Sequence, residues 1–366
     1  MEITEVESYT LRVPIGRSVG DSRLSITDVY WVVVELTTGT GLTGTGWMGS
    51  LGFGPDLLSG FVDSQFRDHL VGRDPFETTA IHRDLRRQTI YYGETGMAAW
   101  PRGAIDVALW DLKAKAAEEP LYRFLGGADR RVPAYVSLMD ATEDDAEVVA
   151  SRHGQYAEEG FTAFKTKVGN RPTTEERRRI AAIRERIGGD ADLFVDANQA
   201  WTVTEAIRHV DALTDYDLGW VEEPISEWDL RGHDRVATAI EPPLATGEMF
   251  YRPERFEFLF DIGRVGVVQP DLIRLGGVSA LWEAATMANR HAVPLAPHFY
   301  YAVSAHVVSA APTGMIAEYI PAYDIATVLA DPPAIEDGHV VLPDRPGHGY
   351  EISNTARAEY EVEFPE

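Results

Sequence analysis

Cysteine is absent from this chain of 366 residues, which removes disulfide staples, thiolate metal ligands and cysteine nucleophiles together. Lysine is nearly absent as well. Lys113, Lys115, Lys165 and Lys167 are the only lysines among 33 basic residues, and the remaining 29 are Arg. Basic charge as a whole is outnumbered by 58 acidic residues, for a formal net charge of −25. A field of that sign repels nucleic acid and anionic lipid, so neither is expected as a partner. Long apolar runs are missing too. The most apolar stretch, Tyr30 to Leu36, is broken by Glu35, and none approaches the ~18 residues of a membrane-spanning helix. The leading Met1-Glu2-Ile3-Thr4-Glu5 lacks the basic-then-apolar layout of a signal peptide, so a cytoplasmic location is expected.

What remains is 45% apolar and 25% charged, the balance of a folded globular protein with about two domains. An acidic, Lys-poor surface suits a salt-rich cytoplasm, where screening removes self-repulsion. A GC-rich genome favouring Arg codons is the other explanation. In either case, two of only four lysines standing together in Lys165-Thr166-Lys167 call for a chemical reason.

The first part reads as an α+β unit. Glu2–Val13 and Val29–Leu36 alternate as paired strands, separated by a polar loop around Ile15–Arg23. Helical periodicity follows from Asp56 to Phe124 and stops at Gly126-Gly127. Gly39-Thr40-Gly41-Leu42-Thr43-Gly44 matches the dinucleotide-binding fingerprint, but that motif must open a helix, and the following Thr45–Gly52 is too glycine-rich for one. A β-hairpin turn is expected instead.

From Arg131 onward, apolar runs alternate with helical stretches. The runs are Val132–Leu138, Thr162–Lys167, Leu193–Asp196, Gly219–Glu222, Leu244–Glu248, Val265–Asp271, Val293–His298 and Met315–Glu318. Eight strands at this spacing imply a parallel β/α barrel, with a doubly wound open sheet as the alternative. Nearly every run ends in a polar group, which favours the barrel, because a barrel gathers strand C-termini into one mouth.

Three of those ends are the acids Asp196, Glu222 and Glu248, spaced 26 and 26 residues apart. Carboxylates converging from adjacent strands repel one another unless a cation sits between them, and an all-oxygen set favours Mg²⁺ over zinc. Lys165 and Lys167, two apart on a strand, face the same side. Beside a cation Lys167 would be pushed toward neutrality and serve as a base, while Lys165 would meet a substrate carboxylate. Asp271 and His298 end neighbouring strands, and an Asp accepting from one imidazole nitrogen frees the other for proton transfer. Glu318 ends the eighth strand, and buried among carboxylates it would stay protonated and donate a hydrogen bond. His306, on the following helix, reads as an ordinary structural histidine.

In order and spacing these residues resemble the enolase superfamily, and within it the mandelate racemase subgroup. The resemblance rests on Phe164-Lys165-Thr166-Lys167, Val195-Asp196-Ala197-Asn198-Gln199, Val221-Glu222-Glu223-Pro224, Thr246-Gly247-Glu248, Gln269-Pro270-Asp271, Pro297-His298-Phe299 and Glu318-Tyr319, with Ala108–Lys113 and Leu125-Gly126-Gly127 at the junction between domains. It implies a modified TIM barrel, (β/α)7β, over residues 130–326. A capping α+β domain would be formed by residues 1–129, with the segment 327–366 returning to it. It also implies one Mg²⁺ per subunit on Asp196, Glu222 and Glu248. Lys167, and His298 with Asp271, would stand on opposite sides of the α-carbon. Lys165, Asn198 and Glu318 would contact the substrate, together with Arg17 and Asp21 of the cap loop. Members are commonly homo-oligomers, so an octamer or a smaller assembly is expected. The sixth-strand lysine of muconate-cycloisomerase-like relatives is replaced here by Asp271-Leu272-Ile273-Arg274, which argues against cycloisomerase and dipeptide epimerase activity.

The implied activity is Mg²⁺-dependent dehydration of an acid sugar, an aldonate or aldarate, to a 2-keto-3-deoxy acid. The alternative is racemisation of a 2-hydroxy acid by the same two bases. The polar cap loop Arg17, Ser18, Asp21, Ser22 and Arg23 suits a hydroxylated substrate, whereas an aryl substrate needs an apolar wall. A binding protein that merely retained the metal site is the reading of another class.

Overall fold

The computed structural model describes residues 1–141, 144–262 and 264–364. Its first unit is a four-stranded sheet in which the C-terminal strand Glu361–Val362 and the first three strands of the chain lie side by side in that order. β1 (Ile3–Gly20) and β2 (Ser25–Thr38) form a long antiparallel hairpin, and β3 (Thr43–Ser50) continues it. The stretch expected as a polar loop is therefore mostly strand. Pairing breaks between Pro14 and Val19, then resumes at Val19↔Ile26 and Gly20↔Ser25, where both apolar side chains are buried. Only Asp21–Leu24 turn, and the hairpin becomes an arm that reaches across to the second unit.

The glycine-rich motif is a hairpin turn, as its lack of a following helix required. Gly41 donates its N–H to the Thr38 carbonyl at 2.9 Å and adopts φ 84°, which its missing Cβ permits. Gly44 and Gly46 serve packing. A Cβ at either would stand 2.2 and 2.0 Å from the carbonyl oxygens of Ala108 and Ala104, so the helix Trp100–Ala116 lies directly on the backbone of β3. The helical region preceding it is one run, Pro55–Leu70, with a π turn at Val62–Phe66, and a second helix, Thr78–Gln88.

The second unit is a parallel barrel. β4 (Arg131–Leu138), β5 (Ala163–Lys167), β6 (Asp192–Asp196), β7 (Leu218–Glu222), β8 (Leu244–Thr246) and β9 (Val265–Val268) pair in sequence. β10 (Ala317–Tyr319) pairs with β4 and closes the ring. The expected strand Val293–His298 is not a regular strand. Pro294 and Pro297 remove two N–H donors from the ladder, and the segment is held by single bridges, Leu295 to Val268 and Gly314, and His298 to Asp271. The tail then divides. β11 (Ala334–Glu336) and β12 (His339–Val341) form a hairpin on β4, while β13 (Glu361–Val362) pairs with β1 of the cap.

Two apolar cores result. The larger spans the cap, the cap–barrel seam and the shell between the barrel and its helices. The smaller fills the barrel interior with Tyr135, Phe194, Trp220, Ala245, Val267, Ala296 and Ile316. The rings of Phe194 and Trp220 are stacked, with centroids 3.4 Å apart. This aromatic plug forms the floor beneath the mouth of the barrel.

Candidate active site

Period-two alternation along the strands builds the site. On β6 Phe194 enters the plug and Asp196, two residues on, stands above it; on β7 Trp220 and Glu222 repeat the pattern. On β5 Ala163 belongs to the plug and Lys165 and Lys167 rise above it. Past the end of β8, Gly247 turns the chain at φ 131° and presents Glu248. One carboxylate oxygen from each of Asp196, Glu222 and Glu248 lies within 4.8 Å of the others, and all three side chains are buried.

The cluster is wired tightly. Lys165 Nζ lies 2.5 Å from Glu222 Oε1, 2.7 Å from Glu318 Oε1 and 3.7 Å from Asp196 Oδ2. Lys167 Nζ donates to Asp196 Oδ2 at 2.5 Å. Trp220 Nε1 and Gln269 Nε2 both donate to Glu222 Oε2, at 3.2 and 2.6 Å. Asn198, in the left-handed region at φ 44°, donates its backbone N–H to Asp196 Oδ1 at 2.8 Å. Arg274 donates to both the backbone oxygen and Oε1 of Glu248, at 3.2 and 3.1 Å.

On the other side of the mouth, His298 Nδ1 and Asp271 Oδ2 are 2.8 Å apart. Asp271 also accepts the backbone N–H groups of Ile273 and Arg274, which fixes its carboxylate. His298 Nε2 is thereby turned inward, 3.4 Å from Glu248 Oε2 and 4.0 Å from Glu318 Oε2. Burial lowers the His298 pKa, but Glu248, Glu318 and Asp271 outweigh it and hold it above the ordinary value.

The electrostatics fit a divalent cation. Burial, reinforced by Asp196, Glu318 and Glu248, pushes Glu222 up to about 8 despite Lys165. The charges already present thus leave Glu222 unbalanced, although Lys167 holds Asp196 below its ordinary range and His298 and Arg274 hold Glu248 down at about 2. Glu248 Oε2 and Asn198 Oδ1 are buried without hydrogen-bond partners. Hard, anionic, all-oxygen donors with unused lone pairs are the donor set that Mg²⁺ prefers. Lys167, by contrast, is held protonated here. Burial would lower its pKa, but the Asp196 carboxylate outweighs burial and raises it.

Glu318 corrects an expectation. It is ionised, because Lys165, His298 and Lys167 overcome the effect of burial and hold its carboxyl well below the ordinary range. Its Oε2 accepts the Phe299 N–H at 2.8 Å, so it acts as an acceptor and not as the expected donor.

The cap-loop residues are occupied differently from the sequence reading. Arg17 donates to the Met139 carbonyl at 3.1 Å and lies 3.5 Å from Asp144, so it docks the hairpin arm on the first barrel loop. Asp21 accepts the N–H groups of Arg23 and Leu24, at 2.6 and 3.0 Å, and shapes its own turn. The residue that touches the site's rim is Ser22, whose hydroxyl donates to the Ala197 carbonyl at 3.1 Å. Sequence reasoning also passed over Gln269 and Trp220. Trp220 was readable, since it shares a strand face with Glu222 two residues on. His306 is the structural histidine expected, buried with Nδ1 accepting the Tyr122 N–H at 3.1 Å.

Comparison with known proteins agrees with this geometry. Residues 147–356 match the family described as Enolase C-terminal domain-like, and residues 3–126 match the Mandelate racemase / muconate lactonizing enzyme, N-terminal domain. The chain is 31% identical to a 3,6-anhydro-alpha-L-galactonate cycloisomerase of Streptomyces coelicolor, across 95% of this chain and 96% of that one. It is likewise 31% identical to an L-talarate/galactarate dehydratase of Salmonella typhimurium, across 94% of this chain and 87% of the relative. A mutant L-talarate/galactarate dehydratase solved with Mg and L-glucarate superimposes with a TM-score of 0.93 at 30% identity, covering 99% of this chain and 92% of that one. Cap, barrel and carboxylate cluster therefore have one origin: the chain belongs to the mandelate racemase/muconate lactonizing enzyme family of the enolase superfamily.

Proposed function

We propose that this chain is a Mg²⁺-dependent acid-sugar dehydratase, converting an aldonate or aldarate to a 2-keto-3-deoxy acid. One observation carries the reading. Two proton-transfer groups flank the carboxylate triad from different sides, Lys167 at 2.5 Å from Asp196 and His298 at 3.4 Å from Glu248. A substrate carboxylate seated at the triad has its α-carbon between them. Bound by Asp196, Glu222 and Glu248, Mg²⁺ would supply positive charge for the enediolate that forms when the α-proton leaves.

The chain's own residues do the rest. Lys165, fixed between Glu222 and Glu318, contributes a permanent cation where the substrate's carboxylate charge grows. Whichever of Lys167 Nζ and His298 Nε2 has first given up its own proton takes the α-proton. The other delivers a proton to the departing 3-hydroxyl, which leaves as water, and the resulting enol tautomerises to the 2-keto acid. Asp271 keeps the His298 ring oriented throughout. The aromatic plug keeps bulk water from reaching the site from below. The likeness to an L-talarate/galactarate dehydratase supports a hydroxylated substrate, and Ser22 is the polar side chain that the hairpin arm brings to the rim. Returning the proton on the opposite face would instead give a racemase, and the same two groups permit it.

The test is a screen of aldonates and aldarates with Mg²⁺ in molar salt, read as 2-keto-3-deoxy acid. At least one member is expected to turn over, and Lys167→Ala and His298→Asn should each lower that rate by about 10²–10⁴-fold. α-Proton exchange of 2-hydroxy acids in D₂O without dehydration would make the protein a racemase. Ligand binding without turnover, unchanged in Lys167→Ala, would make it a binding protein.

A further inference from the structure

A cleft of about 360 Å³ opens at the seam between the cap and the barrel, with none of the triad carboxylates, Lys167, His298 or Asp271 in its lining. Its walls include Arg83, Arg86, Arg102 and Arg252, a concentration of positive charge on a chain of net charge −25, together with His82. Glu94 accounts for part of it, with a bidentate pair to Arg86 at 2.7 Å and a contact to Arg252 at 3.2 Å. Glu254 holds Arg252 as well, at 3.1 Å, and Glu283 stands on the opposite wall.

Arg102 is not accounted for. Its side chain is only 5% exposed, yet no carboxylate among the described residues lies within 4.0 Å of its guanidinium. It donates to two neutral oxygens, Thr89 Oγ1 at 2.7 Å and the Glu94 carbonyl at 3.0 Å, and its Nε has no partner. Its place in the helix adds to the cost. Arg102 stands in the first turn of the 17-residue helix Trp100–Ala116, where the helix dipole disfavours a cation. The Glu94 carboxylate acts on it only from beyond 4.0 Å, and a buried cation without a close counter-ion is among the more expensive features a fold can hold. Beside it, His82 Nε2 is buried without a hydrogen-bond partner. Burial, with Arg102 and Arg86 nearby, lowers the His82 pKa to about 4.

We infer that this cleft is a second ligand site, built for a small oxyanion that lies against Arg102 and His82 and is gripped at the rim by Arg83. The ligand class is a compound with a phosphate or a pair of carboxylates, whose oxygens match the forked guanidinium donors. The volume admits a molecule of a few carbons. The site is separate from the catalytic mouth. Tyr251 and Leu275 line it, and Leu275 directly follows Arg274, the arginine that holds Glu248.

Calorimetric titration and thermal shift of the Mg²⁺-loaded protein test this, with phosphate and succinate as probes and chloride at matched ionic strength as the reference. Saturable binding of at least one probe is expected, and which of the two binds more tightly assigns the phosphate or dicarboxylate source. Arg102→Met should abolish it. Because Arg102 is buried and that variant can fail to fold, Arg83→Glu at the exposed rim provides a second reading and should weaken binding about tenfold. Arg177→Ala, an arginine change on the helix Thr173–Ile187 outside the cleft, should leave affinity unchanged. Identical responses to the probes and to chloride, or saturable binding that Arg83→Glu leaves intact, would overturn the assignment. No substrate or turnover enters the test, so its outcome is independent of the proposed dehydratase reaction.

Discussion

Arg274 reaches Glu248 through both the side-chain and main-chain oxygens, and its backbone N–H is held in turn by Asp271. One guanidinium therefore braces a carboxylate of the triad while its own helix turn is capped by the acid that orients His298. Groups that position a metal ligand without touching the metal commonly contribute 10–100-fold to metal affinity. Arg274→Met is expected to lower Mg²⁺ affinity by about that factor, read by calorimetric titration without substrate. An unaltered affinity would mean that Glu248 is positioned by its backbone alone. At this scale much was legible in the sequence. Asp196, Glu222, Lys165 and Lys167 were readable because strand ends and period-two alternation determine where such side chains point. The ionised state of Glu318 was not readable, since it depends on a 2.7 Å contact with Lys165 across the barrel. Nor were the tasks of Arg17 and Asp21, whose partners are set by how far the hairpin arm reaches.

Glycines and a histidine hold the larger pieces in contact. The backbone of β3 touches the helix Trp100–Ala116 at Gly46, where a Cβ would meet the Ala104 oxygen at 2.0 Å. Gly46→Ala must push strand and helix apart, and a loss of about 1–3 kcal/mol in denaturant unfolding is expected. His306 ties the helix Tyr301–Ala310 to the turn that leads from cap to barrel. Burial, with His348 nearby, lowers its pKa from 6.5 to about 3. Its neutral form is thus favoured in the folded state, and the unfolded chain binds the extra proton as pH falls below about 6.5. The stability it contributes is complete above that pH and is lost progressively toward about pH 3. Between about pH 7 and 5 the loss amounts to ~2 kcal/mol. His306→Gln, which cannot titrate, should reduce the slope of that part of the stability profile, measured by urea unfolding at each pH. The eightfold β/α period was legible at this scale because apolar runs and helix lengths repeat. The irregular seventh segment could have been anticipated from Pro294 and Pro297. The extent of the β1–β2 arm could not, because the pairing of Val19 with Ile26 depends on burial of both against the rest of the fold.

Across the whole molecule the net charge of −25 works against compaction. Salt shortens the range of that repulsion from about 10 Å at 0.1 M to about 3 Å at 1 M. Raising KCl over this interval is expected to increase the melting temperature by roughly 5 °C or more, the equivalent of ~4 kcal/mol at this chain length. A flat response would point to codon bias, and not a salt-rich cytoplasm, as the origin of the Arg-rich, acidic composition. The sheet that covers the barrel draws on both ends of the sequence, with Thr10 paired to Val362 and Arg357 bound to Glu7. During synthesis the whole barrel is made between these partners, an interval on the order of tens of seconds at about 5–20 residues per second. For that time the edge of β1 is uncovered at Thr10 and Leu11, the two residues that β13 later pairs, and such an edge recruits other chains. Ribosomes crowded on one message hold many such edges close together, so the rate of translation through the last turn of the barrel bears directly on the yield of properly closed enzyme.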